Sequence, residues 1–269
     1  MTFVPRRAAG VRSGDYGDEH ALARGHRRDR DREVRAAAGA RGATHVRPGA
    51  RPGGLSSRRG RRIAFGAAGI AAVLLGGLLI AGIAGGLPLG IDSAWDDVVG
   101  ANHWAPAVAV ARFLAVFGGP LWTTIITIAV VAVLLLLRRL RHPRTAVALA
   151  STVSLSSIAF STIKVVLERP RLSSAMMQLT TFSYPSGHTT TAAALALTIA
   201  ITLPRVWVWI AGSGWIAFIA WSRTYRELHW LSDVLAGALL GASVAVLVDG
   251  VLRQLSRRVR WLRPATLPA

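Results

Sequence analysis

The sequence predicts an all-α, polytopic membrane protein: a bundle of six transmembrane helices behind a disordered, basic N-terminal tail. Three observations carry this. The chain has 269 residues, 52% of them hydrophobic, and a mean hydropathy of +0.42, yet its net charge is +19. Its apolar residues are gathered into long runs, which read as membrane spans. Its basic residues are gathered between alternate runs. A basic chain of this size can be a nucleic-acid binder, but the apolar runs argue against that, so the expected partners are the bilayer and a molecule within it. There is no cysteine, so disulfides and thiolate metal sites are excluded.

Residues 1–62 hold 16 arginines and six acidic residues with almost no large apolar side chain. Such a stretch cannot bury enough apolar surface to order itself, and it reads as a disordered tail. Six apolar segments follow, at about 63–83, 121–137, 145–167, 186–203, 206–221 and 231–252. Several lie near the lower length limit of roughly 17 residues for a spanning helix. The first starts far from residue 1, behind the charged tail, and so reads as a retained anchor, not a cleaved signal. Between the first two segments, 87–120 holds Asp92, Asp96 and Asp97, then a short apolar stretch from Ala105 to Phe117. That stretch is too short to span and is expected in the interface or as a cap on the bundle. The expected organisation is a tail (1–62), a six-span domain (63–252) and a short basic tail (253–269).

Orientation follows from arginine. With the N-terminal tail in the cytoplasm, the cytoplasmic segments hold 26 of the 32 basic residues. Both termini are then cytoplasmic, and the localisation expected is the plasma membrane. The other face holds six: Arg112, Lys164, Arg169, Arg171, Arg223 and Arg226. Five of these fall in two short segments, so that face needs them for something. Lys164 is the only lysine in the chain. A lysine offers a compact point charge on a thin stem, which a guanidinium does not reproduce.

Three segments meet at this outer face, each with ionisable groups at a helix end, where they are costly and mark function. KVVLERPRL (164–172) ends the third span. YPSGHTT (184–190) opens the fourth, with Pro185 setting the turn, Ser186 at the N-cap and Gly187 letting an anion approach the backbone. His188 sits in that first turn. SRTYRELHWLSD (222–233) joins the fifth and sixth spans. There His229 and Asp233 are four apart, as if on one helical face, so the carboxylate can fix the imidazole tautomer and leave the other nitrogen nucleophilic. Arg223 lies within reach. With no carboxylate cluster to hold a hard cation, this reads as a metal-free phosphate site with no cofactor, in which cations neutralise the phosphoryl oxygens.

These three segments resemble the signature of the type 2 phosphatidic acid phosphatase superfamily, K-x6-R-P, P-S-G-H and S-R-x5-H-x3-D. Lys164 and Arg171 fit the first, Pro185 to His188 the second, and Ser222, Arg223, His229 and Asp233 the third. Leu172 departs from the pattern, which usually has proline there. The resemblance covers about residues 90–250. It implies a six-helix bundle with an outward-facing site and a hydrolase of lipid phosphates or diphosphates. It further implies that His229 is the nucleophile, forming a phosphohistidine, that Asp233 orients it, and that His188 is the general acid. Lys164, Arg171, Ser186, the Gly187 N–H and Arg223 would hold the phosphoryl oxygens. Arg169, in the earlier Arg-Pro pair, is the second choice to Arg171. Candidate substrates are a polyprenyl diphosphate, phosphatidylglycerol phosphate and phosphatidic acid. A lipid phosphotransferase, and a non-catalytic lipid-binding or scaffold protein, are the alternatives. No motif names the lipid or the oligomeric state.

Overall fold

The computed structural model describes residues 53–136, 143–172, 181–256 and 258–259. Most of the expected N-terminal tail, and the C-terminal segment from 260, lie outside the described residues. Within them there are eight helices and no strand. In chain order these are α1 (Gly53–Ala84), α2 (Gly90–Gly100), α3 (Ala105–Phe117), α4 (Pro120–Leu136), α5 (Pro143–Leu167), α6 (Gly187–Thr202), α7 (Val206–Tyr225) and α8 (Leu231–Leu255).

All six expected apolar segments are helical. Among the described residues, three helices are long and apolar enough to cross a membrane by themselves: Gly60–Ala84, Arg144–Leu167 and Leu231–Leu255. The pair α3 and α4, bent by 55°, makes a fourth if taken as one broken span. The stretch Ala105–Phe117 is thus a helix feeding directly into the next one. α1 starts ten residues earlier than expected, drawing Gly53–Arg62 out of the expected tail. Its Arg62 donates to Asp249 of α8 at 2.6 Å, which ties the early turns to the bundle.

α6 is the central helix. It is only 16 residues long, and nearly all of its Ala and Thr side chains are buried. Close approach explains why small residues suffice. A Cβ added at Gly237 of α8 would stand 2.6 Å from the Ser186 carbonyl oxygen, and one at Gly241 would collide with the Thr190 carbonyl. Without a hydrophobic force between helices in lipid, this kind of backbone contact is what holds them. Gly66 of α1 meets α8 in the same way, its added Cβ 2.7 Å from the Ser243 carbonyl. The outer surface stays apolar: Leu75 and Leu78 of α1 and Val165 and Val166 of α5 are more than half exposed. An apolar exterior around a core of small and hydroxylated residues is the pattern of a protein solvated by lipid, and the chain is a membrane protein.

Candidate active site

The three motif segments converge at one end of the bundle. α5 ends there, α6 and α8 begin there and α7 ends there, so each delivers its polar residues to the same level. The loops are stitched to one another by backbone. The Ser183 N–H donates to the Arg169 carbonyl at 2.8 Å and the Ser186 N–H to the Asp233 carbonyl at 3.0 Å. The Ser183 hydroxyl and the Trp230 indole N–H both donate to the Pro170 carbonyl. The Tyr184–Pro185 peptide is cis.

Between these ends lies a cavity of about 790 Å³. Its polar wall is Lys164, Arg171, Gly187, His188, Arg223 and His229, all expected from the sequence. Arg226 joins them. Its apolar wall includes Ala115 and Val116 of α3, Phe160 and Val165 of α5, and Phe182. His229 is buried, and its Nδ1 lies 3.4 Å from Asp233 Oδ2. Arg171 donates to the opposite nitrogen, Nε2, at 3.3 Å. A donor at Nε2 and an acceptor at Nδ1 select the tautomer with the proton on Nδ1 and the lone pair on Nε2. Burial, then the charges of Lys164, Arg223 and Arg171, holds the His229 imidazole well below its usual pKa of 6.5. The ring is therefore neutral at pH 7.

His229 does not sit on a helix, as the i,i+4 spacing had suggested. It precedes Trp230, the N-cap of α8, and Asp233 is in the first turn. The pair meets across the capping turn, where Asp233 Oδ2 also accepts the Trp230 N–H at 3.0 Å. Just upstream, Glu227 has φ 54°, a left-handed conformation that turns the chain back toward the bundle. Such strain in a non-glycine residue concentrates at functional turns.

The cations differ in how they are held. Lys164 Nζ donates to the Phe182 and Ser183 carbonyls at 2.7 and 3.0 Å. A thin ammonium reaches both between packed helices. Arg171 donates to the carbonyls of Thr181, Phe182 and Leu228, and burial pushes its pKa down. Arg223 and Arg226 each keep a buried Nε without a protein partner among the described residues. Buried donors without acceptors are costly unless a ligand supplies them, and an anion in this cavity would do so.

Other expected residues are placed elsewhere. Arg169 does not line the cavity; it is buried and donates to Asp233, Asp92, Ser232 and the Gly86 and Leu87 carbonyls. Gly85 and Gly86, at φ 59° and 78°, make the turn that presents those carbonyls. Ser186 stands at the N-cap of α6, but its hydroxyl makes no cap and instead accepts from Thr189 at 3.2 Å. The His188 ring is hydrogen-bonded to the backbone of Ala115, so α3 braces it. Arg226 and the α3 wall belong to no motif. Arg226 was nonetheless visible as one of six basic residues on the sparse face.

Residues 144–257 match the family model described as the PAP2 superfamily. The match spans the part of the chain that holds all three motif segments. The match covers every residue of the polar wall, while α1 to α4 lie outside it. An undecaprenyl-diphosphatase of Sulfolobus acidocaldarius is 41% identical over 68 residues, which are 25% of this chain and 32% of that protein. The aligned part thus spans about a third of that relative. A crystal structure of a transmembrane PAP2-type phosphatidylglycerolphosphate phosphatase from Bacillus subtilis superimposes with a TM-score of 0.57 at 20% identity, covering 70% of this chain and 98% of that one. At that identity the likeness concerns the fold, which this chain shares with it.

Proposed function

We propose that this chain is a PAP2 protein that hydrolyses a lipid phosphate or diphosphate through a phosphohistidine at His229, at the extracytoplasmic face of the plasma membrane. The observation that carries the reading is one cavity that joins a tautomer-fixed histidine, a second histidine, four cations and an apolar wall. The cations take up the charge of the phosphoryl oxygens. The apolar wall accommodates the start of a lipid tail. The His229 Nε2 lone pair attacks phosphorus, and the P–O bond to the lipid breaks. His188 gives its proton to the departing oxygen. The imidazole, now cationic and phosphorylated on Nε2, is stabilised by Asp233 at Nδ1. Water then attacks phosphorus, His188 takes its proton, the P–N bond breaks and phosphate leaves. The candidate lipids are a polyprenyl diphosphate, phosphatidylglycerol phosphate and phosphatidic acid, the first two in line with the names of the similar proteins. The excess of arginine at the opposite end supports cytoplasmic termini.

The test is phosphate release by detergent-purified protein from a panel of these lipids, with excess chelator and with His229→Ala beside it. Release that survives chelation and disappears in His229→Ala is expected. Release that requires added metal, or that persists in His229→Ala, overturns the mechanism. No release from any lipid by folded protein points instead to a phosphotransferase or a scaffold.

A further inference from the structure

One buried carboxylate has no part in that mechanism. Asp92, in the first turn of α2, is 1% exposed and lies outside every motif. Its Oδ2 is 2.8 Å from an Arg169 guanidinium nitrogen, and the other terminal nitrogen of Arg169 is 2.7 Å from Asp233 Oδ1. Asp233 Oδ2 in turn faces His229 Nδ1. The four side chains form a line: Asp92, Arg169, Asp233, His229. All are buried, so their charges are only weakly screened by solvent.

Charge along this line decides what Asp233 can do. Arg169 and Asp233 alone are a neutral pair. A neutral pair gives little support to the positive charge that His229 acquires on phosphorylation. Asp92 adds a second negative charge and leaves the line with one in excess. The carboxylate is ionised: burial raises its pKa, but the Ser232 N–H, Arg169 and the Leu89 N–H outweigh that and hold it below the usual value. Asp92 and Asp233 also occupy equivalent places, each accepting the N-cap N–H of its own helix at 3.0 Å. Helix N-termini favour anions, so both sites suit charged carboxylates. The demand is real, because the other groups facing His229 are basic: Lys164 on α5, His188 on α6, Arg223 on α7 and Arg171 in the loop after α5. Asp233 on α8 is the only carboxylate against the ring among the described residues.

We infer that Asp92 is a positioning residue for His229, acting through Arg169 to keep Asp233 effectively anionic. This rests on the phosphohistidine reading above. The test uses the full chain in detergent with Asp92→Asn, which keeps the shape and removes the charge. Turnover should fall about tenfold with KM within about twofold, because the effect lies in stabilising charge that forms in the reaction. The acid limb of kcat/KM should move to lower pH by about half a unit, since losing a nearby negative charge makes His229 harder to protonate. In the ¹⁵N spectrum of His229, the Nδ1–H tautomer should lose population. Asp92→Asn/Arg169→Gln removes both charges and restores the excess on Asp233. It should return the limb to its wild-type position and turn over faster than the single variant. An unmoved limb and unchanged tautomer in Asp92→Asn, or a double variant no better than the single, overturns the inference. If Asp92→Asn does not purify as a monodisperse protein, the double variant alone decides, by the position of its limb. If the wild type releases no phosphate, the functional reading fails separately and the ¹⁵N spectrum still decides this one.

Discussion

α8 carries one buried aspartate near each end, Asp233 and Asp249, sixteen positions and about 24 Å apart along the helix. Each sits among arginines, with opposite stoichiometry. At the site end, two carboxylates, Asp92 and Asp233, share Arg169. At the far end, Arg62, Arg144 and Arg253 share Asp249, at 2.6, 2.7 and 2.7 Å. The site line is negative by one charge, and the far cluster is positive by two. Exposure explains why both are tolerated. Arg169 is 2% exposed as a side chain, whereas the far arginines are 42, 22 and 37% exposed. A surplus of positive charge is acceptable where water and lipid head groups reach it. In the interior each charge needs a partner, and an excess there is retained where the chemistry uses it. The far cluster is a clamp: it ties the starts of α1 and α5 to the end of α8.

The sharpest break in this comparison is Asp233→Asn. It removes the acceptor at His229 Nδ1, so the proton is free to move to Nε2 and the nucleophilic lone pair is lost. Phosphate release should fall by about 10³–10⁴-fold, the scale seen when a triad aspartate is replaced by its amide. Substrate affinity should change little, because the cations lining the cavity remain. Steady-state kinetics on monodisperse protein checks it; a loss below tenfold would mean that Asp233 does not orient the nucleophile.

Asp249→Asn breaks the other end. Three arginines would lose their shared carboxylate while keeping access to water and head groups, so the loss is moderated by solvent. A destabilisation of about 1–2 kcal/mol is expected, with activity per folded molecule unchanged. Denaturant titration of the detergent-solubilised protein measures the first and turnover the second. A fall in turnover as large as that of Asp92→Asn would abolish the distinction between a clamp and a functional line.

How much of this was legible in sequence follows from the same contrast. Lys164, Arg171, Gly187, His188, Arg223 and His229 could be named because each lies in a short segment at a helix end, where an ionisable group has few structural reasons to be. Their convergence required only that alternate helix ends share a membrane face. Asp92 and Asp249 could not be assigned a role. Asp249 has Arg253 at i+4, a spacing legible in sequence, but the partners that tie helices together, Arg169 and Arg144, are 77 and 105 residues away, and no local pattern encodes such a pairing. Arg169 and Arg171 are two positions apart, and an extended chain would put them on one side; instead Arg169 turns to Asp92 and Asp233 while Arg171 lines the cavity. Spacing favoured Arg171, and only the packing of α2 shows what occupies Arg169. The His229–Asp233 contact was anticipated on helical grounds that do not apply, since it forms across a capping turn.

The two ends should also differ in their response to pH, which gives the smallest of the expected effects. The far cluster of Asp249 with Arg62, Arg144 and Arg253 contains no histidine. At the site end, His229 is held well below 6.5 by burial and by the cations around it, and it is neutral when folded. In the unfolded chain it binds a proton as pH falls below about 6.5. The unfolded state then holds the extra proton, so the contribution of His229 to stability is complete above that pH and declines as pH falls toward the folded value. Asp92, held below the usual carboxylate range, loses its contribution only at lower pH and stays out of this window. Between pH 6.5 and 5.5 the wild type should therefore lose about 1 kcal/mol more than His229→Gln, while Asp249→Asn should parallel the wild type. Denaturant titrations of the three proteins at both pH values measure this. Parallel behaviour of wild type and His229→Gln would show that the imidazole is not held neutral, and with it would go the account of Nε2 as a nucleophile ready at neutral pH.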